Sequence, residues 1–334
     1  MPIGSKHAPK NEIVPMLNFN QTKEELASSF SELEQIRKEA LAKRQKGTIG
    51  VITSIIIGLF AVSQLSRGGF GGVVFGAFIG IAGVVACNIF FFASAKKDYG
   101  IAFKNKIVNG MAKALAPEVT YQPQRVVDQS WFERSELFSR RPDRYTGEDY
   151  FCGNIGETEL FFSEIHAESR HTRTRNGKTE TYYKTIFEGI LFVADFHKEF
   201  QSEVFVRPDS LEAFGALGRA FQKLSGNVER MESPEFERLF KVTANDPIEA
   251  RYILTPLMQE RIVELAQRYS KQIILSFRDS LVYLAIPQKQ DWFEANLHTP
   301  ANNSAQLQMV YNQLSSCFGL VEQLDLNTRI WTKD

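Results

Sequence analysis

Two long uncharged runs near the N-terminus constrain this chain more than any other feature. Gly47–Ser66 contains 20 residues without a charged side chain, and Gly68–Ala95 contains another 28. A helix needs about 20 residues to cross the roughly 30 Å apolar layer of a bilayer. Arg67 alone separates the runs, so the connection is very short. The sequence therefore predicts a transmembrane helical hairpin over residues 47–95.

A signal peptide and a pair of soluble core helices both fit these runs less well than a hairpin does. A secretory signal peptide is disfavoured, because 46 mostly polar residues precede the first run and a second run follows at once. Two buried helices of a soluble core would need a much larger surrounding protein than 334 residues provide.

Basic residues flank the outer ends of both runs, whereas the turn carries only Arg67. The flanking residues are Arg37, Lys38, Lys43, Arg44 and Lys46 before the first run, and Lys96, Lys97, Lys104 and Lys106 after the second. Because basic flanks stay in the cytoplasm, both termini and the soluble part are predicted to be cytoplasmic. In a bacterium this corresponds to a multi-pass protein of the inner membrane.

Small residues recur every four positions in both runs, which predicts close helix packing. They are Gly50, Ser54 and Gly58 in the first run, and Gly68, Gly72, Gly76 and Gly80 in the second. These faces pack either against each other within the hairpin, or against a partner or another copy in a homo-oligomer. An oligomeric channel or transport accessory is a further alternative. The runs contain no acidic, basic or histidine side chain for a typical ion pathway.

The segments beside the hairpin predict a helical stalk. Residues 1–46 are predicted to be a cytoplasmic N-terminal segment, with an amphipathic helix over residues 21–46. Residues 96–117 are predicted to be a juxtamembrane helix that ends at Pro117. The two helices are expected to run antiparallel at the cytoplasmic face.

Residues 118–334 predict an α+β cytoplasmic domain in two lobes. The first lobe, residues 118–230, has strand character over Tyr150–Ile165 and Thr181–Val193 and a closing helix over Leu211–Leu224. Between the two strand segments, Asn176-Gly177 is a preferred pair for a tight hairpin turn.

The second lobe, residues 231–334, combines helix starts with another hairpin. Asp246-Pro247 and Thr255-Pro256 each supply a capping side chain followed by proline in the first helical turn. A hairpin is predicted around Arg278-Asp279, and a final amphipathic helix over Ser304–Phe318.

Candidate metal ligands do not form a recognisable site. The three cysteines, Cys87, Cys152 and Cys317, are far apart, which disfavours disulfides and a cysteine-based zinc site. His166 and Glu168 share a strand face while His171 points the other way. No metal and no cofactor are predicted.

Candidate catalytic residues are equally sparse. Asp195 and His197 have no nucleophile beside them, and the phosphate loop, HExxH and GxSxG motifs are missing from the sequence. Glu148 and Asp149 are adjacent carboxylates, but alternation along a strand would point them to opposite faces. A hydrolase-like membrane-associated enzyme that uses Glu148 or Asp149 is therefore an alternative rather than the main prediction.

A basic hairpin tip is the most suggestive local feature for binding. It contains Arg170, Arg173, Arg175 and Lys178. Such a tip suits lipid headgroups, a phosphorylated ligand or an acidic patch on a protein partner. A solvated loop is the alternative interpretation.

The formal net charge is zero, but the charges are unevenly placed. Residues 1–116 carry 14 basic and 7 acidic side chains, whereas residues 117–334 carry 25 basic and 32 acidic side chains. A net charge of −7 on the soluble part disfavours nucleic acid as a partner.

Three stretches of the sequence resemble a bacterial family known as domain of unknown function 3137. They are RYTGEDYFCGNIGETELFFSEIHAE, TIFEGILFVADFHKEF and FERLFKVTANDPIEARYILTP. The resemblance extends from about residue 20 to about residue 325 and includes the double apolar run. It implies a membrane-anchored cytoplasmic domain and supplies no reaction and no catalytic residues. The predicted function is therefore a membrane-tethered binding or scaffold domain, with membrane lipids and a protein or a second copy as partners.

Overall fold

The computed structural model describes residues 17–66, 69–175, 178–196, 198–209, 227–269 and 272–327, except the side chain of Arg175. The chain divides into two compact units. The helical unit contains Asn18–Met111 and Phe293–Tyr311. The sheet unit contains Ala112–Trp292 and the described residues from Asn312 onward.

Both apolar runs lie in long helices. The helical segments are α1 Phe19–Glu25, α2 Ala27–Leu65, α3 Phe70–Cys87, a π-helix Asn88–Ala93, α4 Ser94–Phe103, a second π-helix Lys104–Val108 and α5 Asn109–Leu115. The amphipathic segment and the first span thus form one helix of 39 residues. The second helical stretch, from Phe70 to Leu115, has 46 residues. It ends two residues before Pro117, which cannot continue a helix.

These two helices have the length and composition needed to cross a membrane. Their most apolar windows have mean hydropathies of 2.0 and 2.3, and only 6% and 11% of the residues in those windows are buried. Large side chains such as Phe60 and Phe78 are exposed. This exposure distinguishes them from the core helices of a soluble protein, whose apolar side chains are buried.

The small residues of the two runs bring the two helix backbones together. A Cβ atom built on Gly58 would lie 2.8 Å from the Cα of Gly80, and one on Gly76 would lie 2.6 Å from the backbone nitrogen of Val62. Gly72 faces Leu65 in the same way. The remaining predicted packing residues are Gly50, which faces Cys87; Ser54, which faces Gly83; and Gly68, which lies outside the described residues.

The stalk helices run antiparallel and are joined by ion pairs. Lys106 Nζ lies 2.6 Å from Glu32 Oε2, and Lys43 Nζ lies 2.9 Å from Asp98 Oδ2. Early residues of α2 thus meet late residues of the second helical stretch. The Lys43 contact also holds the pKa of Asp98 below its ordinary value.

A clamp attaches the segment Phe293–Tyr311 to α2. The Glu34 carboxylate accepts hydrogen bonds from Arg37 at 2.7 and 2.8 Å and from the backbone N–H of Ala301 at 3.0 Å. Arg37 Nη1 donates to the Leu297 carbonyl oxygen at 3.1 Å. This carboxylate–guanidinium pair therefore binds a loop that is distant in sequence.

Acidification is expected to release this clamp. The Arg37 hydrogen bonds lower the pKa of Glu34 from 4.5 to about 2, against the opposing effect of burial. A lowered folded-state pKa gives stability that is present above the unfolded value and is lost as pH falls from about 4.5 to 2. Hydrogen exchange of residues 295–301, expressed relative to the intrinsic amide exchange rate at each pH, should therefore increase over this pH range. Glu34→Gln should increase it already at neutral pH, whereas the control Glu25→Gln should leave it unchanged; equal effects would contradict the assignment.

The sheet unit is built on one antiparallel sheet. Its nine described strands are β1 Val119–Gln122, β2 Arg144–Ile155, β3 Thr158–Arg175, β4 Lys178–Asp195, β5 Val204–Pro208, β6 Asn227–Glu229, β7 Phe240–Ala244, β8 Ile274–Arg278 and β9 Leu281–Pro287. Their order is β1-β2-β3-β4-β9-β8-β5-β7-β6. Because β4 pairs with β9 and β5 pairs with β8, the predicted boundary near residue 230 falls within a single sheet. The predicted closing helix Leu211–Leu224 lies outside the described residues.

Short helices complete the described part of the chain. They are α6 Gln129–Arg134, α7 Pro234–Leu239, α8 Pro247–Ile253, α9 Pro256–Arg268, α10 Ser304–Phe318 and α11 Leu320–Gln323. Asp246 caps α8 and Thr255 caps α9 through their side chains, as predicted.

Both faces of the central strands carry apolar contacts. On one face, Phe132 and Phe138 pack with Phe187. On the other face, Phe162 packs against Phe318 with ring centroids 5.9 Å apart. Alternation along β3 places Glu164 and His166 on the Phe162 face, where a pocket opens.

Candidate functional site

A polar pocket of about 270 Å³ lies over β2, β3 and β4. Its polar side chains are Thr146, Glu148, Glu164, His166, Glu188, Gln288, Gln290 and Asp291. Four of them are carboxylates, and no lysine or arginine lines the pocket among the described residues. The pocket therefore carries negative charge and favours a positively charged group.

The register of the sheet brings these residues together. Glu148 lies directly opposite Glu164 on the neighbouring strand, and His166 lies opposite Glu188. Like charges directly opposite each other destabilise a sheet. A sequence that keeps this arrangement breaks a local stability rule, as functional sites commonly do.

A β-bulge adds Asp149 to the carboxylate group. The register of β2 shifts between Glu148 and Phe151, and Asp149 has a φ of +60°. As a result, one carboxylate oxygen from each of Glu148, Asp149 and Glu164 lies within 4.8 Å of the others. The prediction that Glu148 and Asp149 point to opposite faces is therefore wrong, because strict alternation ends at the bulge.

Neighbouring donors hold two members of this group, the buried Asp149 and the half-buried Glu164. The Tyr121 hydroxyl donates to the Asp149 carboxylate, and the backbone N–H of Trp292 donates to Glu164. Burial, together with the Asp149 charge, raises the pKa of Tyr121 well above its ordinary value of 10. Tyr121 therefore stays protonated and keeps donating to Asp149.

Two glycines allow the strands to approach each other beside this pocket. A Cβ atom on Gly147 would lie 2.0 Å from the Glu164 carbonyl oxygen, and one on Gly189 would lie 2.2 Å from the Ile286 carbonyl oxygen. Both glycines line the pocket. Larger residues there would displace the backbone that carries the carboxylates.

The predicted basic tip lies at the far end of the β3–β4 hairpin. Arg173 is paired with Glu180 at 2.9 Å, and its guanidinium lies 5.8 Å from the Tyr182 ring centroid. Arg170 and Lys178 are exposed. The side chain of Arg175 and the predicted turn residues Asn176 and Gly177 lie outside the described part. Because Arg173 lies seven positions after His166 along β3, the tip is about 23 Å from the pocket.

The candidate residues His166, Glu168 and His171, for which no metal site is predicted, have separate contacts. His166 Nε2 lies 4.0 Å from Glu168 Oε1, whereas His171 contacts Ser169 Oγ at 2.9 Å and stacks on Tyr182. Asp195 ends β4, and its predicted neighbour His197 lies outside the described residues.

Sequence reasoning missed Glu164, Glu188 and Asp291 as pocket residues. They belong to three separate segments, and no spacing motif connects them. The only sequence signal is the presence of Glu164 and Glu188 within otherwise apolar strands, and Asp291, which follows β9, has no such signal. The strand register decides which of these residues lie next to each other, and the sequence pattern does not specify that register.

Comparisons with known proteins give one family and one solved structure. Residues 185–326 match the model of a family described as "Protein of unknown function (DUF3137)". The crystal structure of the mycobacterial trehalose monomycolate transport factor A, TtfA, aligns with a TM-score of 0.31 and 11% identity. That alignment covers 62% of this chain and 88% of the other, and a similarity this weak supports no functional conclusion. No curated protein matches the chain.

Proposed function

We propose that this chain, which belongs to the DUF3137 family of proteins of unknown function, is a membrane-anchored binding or scaffold protein. The observation that carries this proposal is the pair of long apolar helices with exposed side chains. Exposed apolar surface on this scale is stable only in lipid or against a partner. The proposed location is the bacterial inner membrane, with the sheet unit in the cytoplasm.

The contacts of Phe293–Tyr311 support this topology. Glu34 and Arg37 precede the first apolar run, yet they bind Ala301 and Leu297 from the C-terminal part of the chain. Lys104, which follows the second run, pairs with Glu294 at 3.0 Å. The segments before and after the hairpin thus meet the same loop, which is possible only if they lie on the same side of the membrane.

The acidic pocket is the proposed contact site for a protein partner. Its Glu148, Glu164, Glu188 and Asp291 carboxylates suit a lysine or arginine side chain. The basic tip with Arg170 and Lys178 is a proposed second contact, with an acidic surface or lipid. A scaffold protein needs binding surfaces of this kind and does not need to catalyse a reaction.

The topology is tested with reporters fused to each terminus in bacterial cells. Two reporters are fused in turn to each terminus. One is a fluorescent protein that matures only in the cytoplasm, and the other is alkaline phosphatase, which is active only outside the cytoplasm. We expect fluorescence and no phosphatase activity at both ends. Phosphatase activity at either terminus would contradict the proposed orientation.

The binding role is tested by recovering partners of the intact protein in mild detergent. We expect a partner that is lost with Glu188→Gln and is retained with Glu159→Gln, since Glu159 is exposed on β3 and does not line the pocket. The bound fraction should also fall at high salt, because salt screens charge pairs. Equal recovery with both variants would remove the pocket as the contact site.

An enzyme is the second candidate function, and the position of Glu148 and Glu164 in a polar pocket favours it. Two carboxylates this close can act as acid and base when one of them holds a proton. The test is hydrolysis of a panel of generic ester, phosphoester and glycoside substrates by the purified intact protein. Activity that disappears with Glu148→Gln and persists with Glu159→Gln would favour the enzyme over the scaffold.

A further inference from the structure

A second pocket, of about 520 Å³, is formed entirely by residues of the helical unit and shares no lining residue with the acidic pocket. The side chains that matter for its chemistry are Arg44, Asn88, Phe92, Lys96, Asn296 and His298. Its volume is within the range of small-molecule sites.

The position of this pocket along the helices coincides with the ends of both apolar runs. Arg44 lies three residues before the first uncharged run, and Lys96 is the first charged residue after the second. At 1.5 Å per residue, Arg44 is about 5 Å from the start of its run. In a membrane-spanning hairpin this is the level of the lipid headgroups, so the inference rests on the proposed anchor.

The charges in the pocket leave a positive excess. Glu294 is the only acidic residue among the described residues that line it, and the Glu294 carboxylate pairs with the buried Lys104 ammonium at 3.0 Å. Arg44 and Lys96 therefore determine the local potential. The structure assigns no hydrogen bond or ion pair to the Lys96 ammonium among the described residues.

The Arg44 guanidinium is held in place and still has donors to offer. Its Nη1 lies 2.9 Å from His298 Nε2, and because a guanidinium has no acceptor it is the donor in this bond. Its central carbon lies 5.6 Å from the Phe92 ring centroid, within cation–π range. Of its five N–H groups, most remain for a ligand.

The backbone of the second span widens where it forms the pocket wall. Residues Asn88–Ala93 form a π-helix, a rare conformation that is frequently found at functional sites. This segment supplies the Asn88 amide and the Phe92 ring to the lining. On the opposite wall, the loop residues Asn296 and Leu297 add an amide and an apolar side chain.

We infer that this pocket binds the phosphodiester of an anionic phospholipid from the cytoplasmic leaflet. Arg44 suits bidentate binding of phosphate oxygens, Lys96 adds a second charge, and the asparagine amides can donate to the glycerol and phosphate oxygens. Phe92 and Leu297 provide apolar walls, and the exposed side chains of Ile89 and Phe90 continue into the acyl-chain region. A free phosphate would use the two charges but not these apolar surfaces.

The test uses the intact protein, with phosphatidylglycerol titrated into phosphatidylcholine nanodiscs and lipid retention measured by native mass spectrometry. Arg44→Gln and Lys96→Gln should each weaken phosphatidylglycerol retention by about tenfold, the size expected for losing one charge-assisted hydrogen-bonding group. The matched controls Lys46→Gln and Lys97→Gln remove exposed charges that lie nearby but outside the pocket. These controls should change phosphatidylglycerol retention by less than about twofold. Because Lys96 has no described contact to lose, its variant separates ligand loss from misfolding.

Three results would overturn the inference. Equal losses in the controls would indicate diffuse attraction to the basic collar, and equal retention of phosphatidylcholine would indicate no selection for charge. Displacement of the lipid by millimolar inorganic phosphate would identify a site for free anions. The anchor is checked separately by carbonate extraction of membranes. A protein that remains in the membrane but fails to retain phosphatidylglycerol contradicts only the lipid site. A protein that carbonate releases from the membrane contradicts the anchor itself.

Discussion

Gly189→Ala is expected to destabilise the sheet unit by about 3 kcal/mol and to lower its Tm by about 10 °C. Gly189 has a φ of +149°, which a residue with a side chain rarely adopts. An added Cβ would also lie 2.2 Å from the Ile286 carbonyl oxygen and 2.7 Å from the Gln288 nitrogen. Because both neighbours are backbone atoms, the contact can be relieved only by separating β4 from β9.

This effect can be measured by thermal unfolding of the intact protein in detergent, followed through the fluorescence of Trp131 and Trp292 in the sheet unit. Gly100→Ala is the matched control, because a Cβ on Gly100 in α4 would meet no atom within 4 Å. Replacing a glycine in a helix with alanine should stabilise slightly, by about 0.5–1 kcal/mol. A Gly189→Ala protein as stable as the control would show that the β4–β9 pairing tolerates a side chain there.

Gly76→Val is expected to separate the two apolar helices and to lower the Tm in detergent by several degrees. A Cβ on Gly76 would lie 2.6 Å from the Val62 nitrogen and 2.9 Å from the Ala61 carbonyl carbon, so the whole helix must move. Overpacking of this kind costs about 1–3 kcal/mol. Thermal aggregation of the detergent-solubilised protein measures the change.

Gly71→Ala is the control for this face, since a Cβ on Gly71 would meet no atom within 4 Å. Like Gly100→Ala, it should stabilise the helix slightly, by up to about 1 kcal/mol, and it should leave the oligomeric state unchanged, as judged by size-exclusion chromatography with light scattering. If Gly76→Val instead dissociates an oligomer that Gly71→Ala leaves intact, the second span packs against another copy, which is the alternative interpretation of its glycine pattern. The two variants therefore distinguish packing within the hairpin from packing between copies.

Local patterns predicted the elements of the fold well. The hairpin around Arg278-Asp279 and the helix Ser304–Phe318 are present at the predicted positions, because turn chemistry and helical periodicity depend on neighbouring residues. The family resemblance is confirmed over residues 185–326. The organisation of the sheet could not be predicted from local patterns in the same way. Strands from both sides of residue 230 form one sheet, and pairing between distant strands leaves no local sequence pattern.

The sequence by itself determined that this chain carries two apolar helices with basic flanks and a mixed helix–strand region, because hydropathy and charge act through composition alone. Only the tertiary structure decided which polar groups meet. Glu148, Asp149 and Glu164 converge because of a bulge and a strand register, and Arg44, Lys96 and His298 converge because a distant loop packs on α2. Such convergence depends on contacts between residues far apart in the chain, whose partners are set by packing of the whole unit and by no short sequence pattern.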